Sequence, residues 1–288
     1  MKRKLLLLIM FPFFFGCNSA KENKTDEQVK IVAQEKDHQI LEEVLEIFAA
    51  EKETPLPVLL IKTGTFFKET PYVAHTLEVE PEQLVINLRE LDCTTFAENC
   101  LAIARTIKSK NPGFEKFADE LQKIRYQNGK VDGYLSRIHY FSDWIYTNTK
   151  KGLIKDVSKD IAQTTYPLNI DFMSTHPDSY KQLKNNPEFI NQLAEKEQEI
   201  SSRTMYYIPE DKIAEVEDQL QDGDIAGITT NIGGLDISHV VLLVRKEGRI
   251  HILHASSAAE KVVLSENTLE DYLLNSKAAT GIMVARPL

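Results

Sequence analysis

Two residue types capable of nucleophilic chemistry stand where that chemistry is easiest to support. Cys93 lies in Asp92-Cys93-Thr94-Thr95-Phe96, where an extended run from Leu84 to Leu88 gives way to an amphipathic helix. At a helix N-terminus four N–H groups lack intrahelical partners and the macrodipole is positive. A thiolate there is stabilised, and its pKa is expected to fall below the free value of about 8.5. Asp92 is the expected N-cap. Phe96, Ala97, Cys100, Ile103, Ala104 and Ile107 recur at helical spacing, which buries one face and holds the first turn still. Cys100, inside that apolar stripe, reads as core; Cys93, at the polar start, does not.

A thiol needs a base, and His239 is the candidate. It lies in Asp236-Ile237-Ser238-His239, directly before the apolar run Val240 to Val244. That run reads as a strand covered on both faces, Lys246-Glu247-Gly248 as a hairpin turn, and Arg249 to His254 as the returning antiparallel strand. The return carries two further histidines, and a cysteine–histidine pair requires a third polar group to fix the tautomer of the base. His251 and His254 both qualify. As a metal chelate the same two are poor, because residues three apart on a strand face opposite ways. No cofactor or metal is expected.

The elements that must position these residues follow an α+β order. Helices are expected over Asp37 to Ala50, broken by Thr54-Pro55-Leu56-Pro57, then over Phe114 to Tyr126, Trp144 to Lys151 with Ser142-Asp143 as cap and Gly152 as stop, and Pro187 to Ser201. From Ile225 the chain turns to strands: Ile225 to Thr229, Val240 to Val244, Arg249 to His254, Lys261 to Leu264 and Gly281 to Arg286, with a helix over Thr268 to Leu274. Strands following one another without alternating helices imply an antiparallel sheet with helices packed on it.

Several pieces resemble the NlpC-type papain-like cell-wall cysteine peptidases, and more closely their N-acetylmuramoyl-L-alanine amidase-like branch. Asp92-Cys93-Thr94-Thr95-Phe96 is similar to the nucleophile motif, with Thr-Thr where the endopeptidases carry Ser-Gly. Gly223-Asp224-Ile225 resembles the Gly-Asp-Leu opening the strand before the base, and Ser238-His239-Val240 the base itself. His254-Ala255-Ser256 resembles the His-Ala of the third residue, and Thr70-Pro71-Tyr72-Val73 the Pro-Tyr-Val whose tyrosine faces the nucleophile. The resemblance spans about residues 60 to 260. It implies a papain-like core with Cys93, His239 and His254 catalytic, His251 remaining an alternative to His254, and a large insertion between nucleophile and base. Tyr72, Arg137, His139, Asp236 and Ser238 are then the expected substrate-binding residues. The implied substrate is a peptidoglycan-derived muropeptide cut between N-acetylmuramic acid and L-alanine. The alternatives are a γ-D-glutamyl-diaminopimelate endopeptidase and a non-catalytic muropeptide-binding lipoprotein.

Within the insertion, Tyr134 to Trp144 concentrates Arg137, His139, Asp143 and several aromatics. Aromatic faces stack on sugar rings and arginine grips carboxylates, so Arg137 is expected to hold a stem-peptide carboxylate. The plainer reading makes Tyr134, Ile138, Phe141 and Trp144 core and pairs Arg137 with Asp143.

The chain's beginning sets the compartment. Lys2-Arg3-Lys4, an uncharged run from Leu5 to Phe15, then Gly16-Cys17 reads as a lipoprotein signal peptide over residues 1–16. Cys17 is then the acylated residue, on a polar tether to about Glu27, ahead of one domain over 28–288. Periplasmic placement on the outer membrane through that lipid anchor is expected. The 272 residues left after cleavage carry 31 basic and 43 acidic side chains, the wrong balance for nucleic acid. The protein is expected to act as a monomer.

Overall fold

The computed structural model describes residues 30–288; the expected signal peptide, Cys17 and the tether lie outside the described residues. The strands are β1 (Ile31–Val32), β2 (Leu84–Val85), β3 (Ile154–Asp156), β4 (Thr164–Tyr166), β5 (Met205–Pro209), β6 (Ile225–Thr230), β7 (Ile237–Lys246), β8 (Arg249–Ser256), β9 (Lys261–Thr268) and β10 (Ala279–Pro287). Among the described residues the helices of ten residues or more are α1 (Glu35–Ile47), α2 (Leu56–Phe66), α3 (Cys93–Lys108), α4 (Phe114–Arg125), α5 (Phe141–Lys150) and α6 (Pro187–Ser201). β1 and β2 form a small parallel pair. The other strands make one antiparallel sheet in the order β4-β5-β10-β6-β7-β8-β9, with β3 added to β10. The architecture is α+β, as the order of elements implies.

The unbroken apolar run of β7 is buried because both faces of the sheet are covered. Val240 and Leu242 pack with Leu253 and Phe96 in one core, while Val241 and Leu243 pack with Ile250, Ile252 and Ile282 in another. The β7–β8 hairpin closes through Glu247 (φ 53°) and Gly248 (φ 85°), a two-residue turn that needs positive φ at both positions.

Three expectations fail for identifiable reasons. Thr54-Pro55-Leu56-Pro57 ends nothing permanently, because α2 begins at Leu56. A proline is tolerated in a first helical turn, where its missing N–H has no intrahelical partner. That helix is nearly apolar throughout and so shows little periodicity; it crosses the sheet closely at Gly64, where a β-carbon would stand 2.8 Å from Leu253 Cδ2. Second, α5 starts at Phe141, three residues earlier than its local cap signal. The carboxylate of Asp236, far along the chain, accepts a hydrogen bond from the Ser142 N–H at 2.6 Å, capping the helix from outside. Third, β3, β4 and β5 are too short to announce themselves and exist through pairing with β10 and with each other.

The insertion between α3 and β6 has its own small core, in which Tyr140, Ile170, Met173, Leu193 and Ile200 meet. Glu197 of α6 organises it. Its Oε1 accepts hydrogen bonds from the Tyr140 hydroxyl (2.6 Å) and from the N–H groups of Met173 and Ser174 (3.1 Å each). This buried carboxylate fixes residues 172–175 beside the segment Tyr134–Phe141.

Candidate active site

Cys93 is the first residue of α3, and Asp92 is its N-cap, as the sequence implies. Asp92 Oδ1 accepts from the Thr95 N–H (2.7 Å) while Thr95 Oγ1 accepts from the Asp92 N–H (2.9 Å), a reciprocal box that satisfies two donors and sets the turn. Further along, Phe96, Cys100 and Ile103 are fully buried. The rigid helix thus presents a half-buried Cys93 at one end of a pocket of about 270 Å³.

His239 and Ser238 of β7 line the same pocket. The N–H of Val240, the residue after His239, is directed at the Cys93 sulfur. His239 Nε2 meets His254 Nδ1 at 2.6 Å, the rings nearly perpendicular. The two lie diagonally across the β7–β8 ladder, which is how a hairpin turns a separation of fifteen residues into a contact. His251 points elsewhere, with Nδ1 3.1 Å from the Ser265 carbonyl oxygen.

The electrostatics reverse one expectation. The Cys93 thiol is pushed up to about 11, not down: burial acts first and the Asp92 carboxylate second, outweighing the opposing hydrogen bonds from Val240 and Thr94. Burial also lowers His239 to about 3, helped by repulsion from His254, and lowers His254 to about 4. At neutral pH the site therefore holds a thiol and two uncharged imidazoles.

Of the other expected residues, Tyr72 sits near the nucleophile. Its strand bridge to Leu91 and its N–H bond to the Glu260 carbonyl (2.9 Å) fix it there, and its phenol is raised by burial and then by the proximity of Cys93 and Asp92. Ser238 is exposed at the rim. Asp236 borders the pocket, but its carboxylate is held by the N–H groups of Ser142 and Ile237, so it positions α5 and is not free to bind substrate. His139 also lines the pocket, neutral at about 3 through burial and then Arg137, with Nε2 3.0 Å from the Tyr134 carbonyl oxygen.

Arg137 departs most from expectation. Its guanidinium is already held by Glu78 (Nη2–Oε1 3.1 Å) and Glu82 (Nε–Oε1 3.3 Å), over the ring of Tyr134. It is not an open carboxylate grip, nor does it pair with Asp143, which binds Arg203 at 2.6 Å. The aromatics of Tyr134–Trp144 are both core and wall: Tyr134, Phe141 and Trp144 are buried yet line the pocket.

Two neighbours of the site escaped the sequence reading. Tyr272 packs edge-on against His254, with centroids 5.8 Å apart, and its phenol is raised by burial and then by the nearby Cys93; a tyrosine on a six-residue helix carries no local signal. Glu98 lines the pocket from α3, bound to Arg125 at 2.6 Å. Its place five residues after the nucleophile was visible, but its partner on α4 was not.

Residues 62–282 match the model of a family described as AmiA-like, N-acetylmuramoyl-L-alanine amidase-like. No curated protein matches the chain. The fold is similar to the crystal structure of an N-acetylmuramoyl-L-alanine amidase from Bacteroides uniformis (41% identity over 81% of this chain and 99% of that one, TM-score 0.78). It is also similar to a Bacteroides fragilis protein named provisionally as a xylanase (43% identity, 78% and 99% coverage, TM-score 0.75). A Legionella pneumophila protein at 23% identity shares the fold (87% and 95% coverage, TM-score 0.66). With most of its length matched by the family model, the chain belongs to the N-acetylmuramoyl-L-alanine amidase-like family.

Proposed function

We propose that this protein is a cysteine amidase with an NlpC-type papain-like core that cleaves the bond between N-acetylmuramic acid and L-alanine in soluble muropeptides. The observation that carries the reading is the arrangement of Cys93 at a capped helix start, in one pocket with His239, whose far nitrogen meets His254 at 2.6 Å. In the working tautomer His239 Nε2–H donates to His254 Nδ1, leaving the His239 Nδ1 lone pair for the thiol proton. With both groups uncharged at rest, Cys93 loses its proton to His239 as sulfur attacks the amide carbonyl. The imidazolium then protonates the departing L-alanine nitrogen, and the muramyl thioester is hydrolysed by water with His239 as base. The Cys93 backbone N–H, with Tyr72 beside it, supplies the oxyanion site.

A glycosidase reading, prompted by the xylanase name, finds little support. Glycosidases place two carboxyl groups across the scissile bond, and the pocket carboxylates Glu78 and Glu98 are each held by an arginine.

The lipoprotein placement belongs to the same proposal. A tether of about ten residues from an acylated Cys17 keeps the enzyme within roughly 35 Å of its membrane, suited to fragments released from the wall. The deciding experiment is mass spectrometry of the products from one purified muropeptide. Free sugar plus intact stem peptide is expected; a shortened peptide means the endopeptidase, and an unchanged substrate means a binding protein.

A further inference from the structure

We infer that Glu78 is a specificity-determining residue: a fixed hydrogen-bond acceptor in the pocket, so that the part of the substrate lying against Arg137 presents donors (hydroxyl, amide N–H or ammonium) and not a carboxylate. This rests on the amidase reading of the same pocket and identifies the chemistry that one wall of it recognises.

Arg137 is the cation in that wall, with 7% of its side chain exposed, and it already has two anionic partners. Glu82 is the deep one: its side chain is 1% exposed, one oxygen lies 3.3 Å from Arg137 Nε, and it accepts from the Tyr126 hydroxyl at 2.8 Å. Glu78 is the shallow one, 27% exposed, with its two oxygens 3.1 and 3.4 Å from Arg137 Nη2. One positive charge therefore faces two negative ones. A substrate carboxylate brought here would meet a net negative cluster, away from full solvent screening, and would be repelled. His139 does not alter the balance, since burial keeps its imidazole neutral.

An ionised carboxylate accepts about four hydrogen bonds, and Arg137 Nη2 is the donor that Glu78 meets. The remaining lone pairs lie on the exposed side of a group that lines the cavity together with Cys93 and Tyr134. The pairing with Arg137 holds the carboxylate in place, and Glu82 and Tyr126 anchor the same stretch of chain four residues on. An acceptor held in advance, beside aromatic faces, is what a donor-rich sugar or peptide needs for tight recognition at low ordering cost.

The test compares two ligands and two backgrounds by calorimetry on the full chain carrying Cys93→Ala. One ligand is a disaccharide-peptide with free carboxylates, the other the same molecule with those carboxylates converted to carboxamides. The amidated ligand is expected to bind within a few-fold of the free acid or more tightly. Adding Glu78→Gln should weaken both about tenfold, and in the Cys93 enzyme that loss should appear in KM more than in kcat. A tenfold or greater loss on amidation, or tighter binding of the free acid by Glu78→Gln, overturns the inference and makes Glu78 a place-holder for a substrate carboxylate. Should Glu78→Gln fold poorly by thermal melting, the two-ligand comparison on the otherwise unaltered protein decides alone. If the Cys93 enzyme cleaves no muropeptide at the sugar–alanine bond, the amidase reading falls separately, while the binding comparison still judges Glu78.

Discussion

Cys93 and Cys100 share a helix, yet their sulfurs meet different surroundings: one opens on a pocket beside an imidazole, the other is fully buried and 3.3 Å of polar contact away is only a backbone carbonyl held by Thr63. Cys93→Ala and Cys93→Ser should abolish hydrolysis, whereas Cys100→Ala should keep kcat within a few-fold and cost on the order of 1 kcal/mol of stability. An active Cys93→Ala enzyme would remove the nucleophile from the mechanism. The thiol at about 11 and the imidazole at about 3 make a distinct pH signature. Alkylation of Cys93 by iodoacetamide should keep accelerating from pH 7 to 10 as thiolate forms, and a plateau from near pH 6 would instead reveal a thiolate–imidazolium pair. His254→Ala should lower kcat by about 100-fold with little change in KM, because it leaves His239 Nε2 without its orienting partner. His251→Ala, which loses only a contact to Ser265, should stay within several-fold.

At the scale of elements, the pocket depends on contacts between segments distant in sequence. Asp236 is the clearest, since its carboxylate caps α5 and so places Phe141 and Trp144 in the wall. Asp236→Ala leaves the Ser142 N–H without its partner in a buried setting and should cost about 1–3 kcal/mol in urea unfolding, with a fall in kcat that Asp236→Asn, which keeps an acceptor oxygen, partly restores. A variant of full stability and full activity would contradict the capping role. Element boundaries were legible where the signal was local: Asp92 and Thr95 announce α3, and Glu247-Gly248 announces the β7–β8 turn. They were illegible where the partner was remote, as with α5, or where apolar residues covered the whole helix, as with α2.

For the whole molecule, three neutral histidines link folding to pH. His139, His239 and His254 are lowered to about 3, 3 and 4, each chiefly by burial, while in the unfolded chain they titrate near 6.5. Below about pH 6.5 the unfolded state therefore takes up protons that the folded state refuses, so stability is full above that value and falls as pH drops toward 4. Thermal melts should show Tm declining from pH 7 to 4.5, and a flat profile over that range would refute the neutral-histidine assignment. The walls contributed by the insertion, with Met173 and Tyr180 closing over the pocket, leave a volume suited to a fragment. Turnover of a soluble disaccharide-peptide should accordingly exceed that of intact sacculi by orders of magnitude, and comparable rates would exclude a closed cleft.

The sequence by itself determined the α+β order, the capped start of the helix bearing Cys93, and the hairpin carrying His239 and His254, because each rests on residues a few positions apart whose hydrogen bonds and periodicity are local. It could not choose between His251 and His254 from spacing, since both lie on the returning strand; the β7–β8 register chose which imidazole meets His239. Nor could it tell that Arg137 was already occupied, because Glu78 and Glu82 lie more than fifty residues away. The rise in the Cys93 pKa was equally hidden. A helix terminus favours the thiolate locally, but burial is a property of everything packed around the sulfur, and only the tertiary structure decided which of the two prevailed.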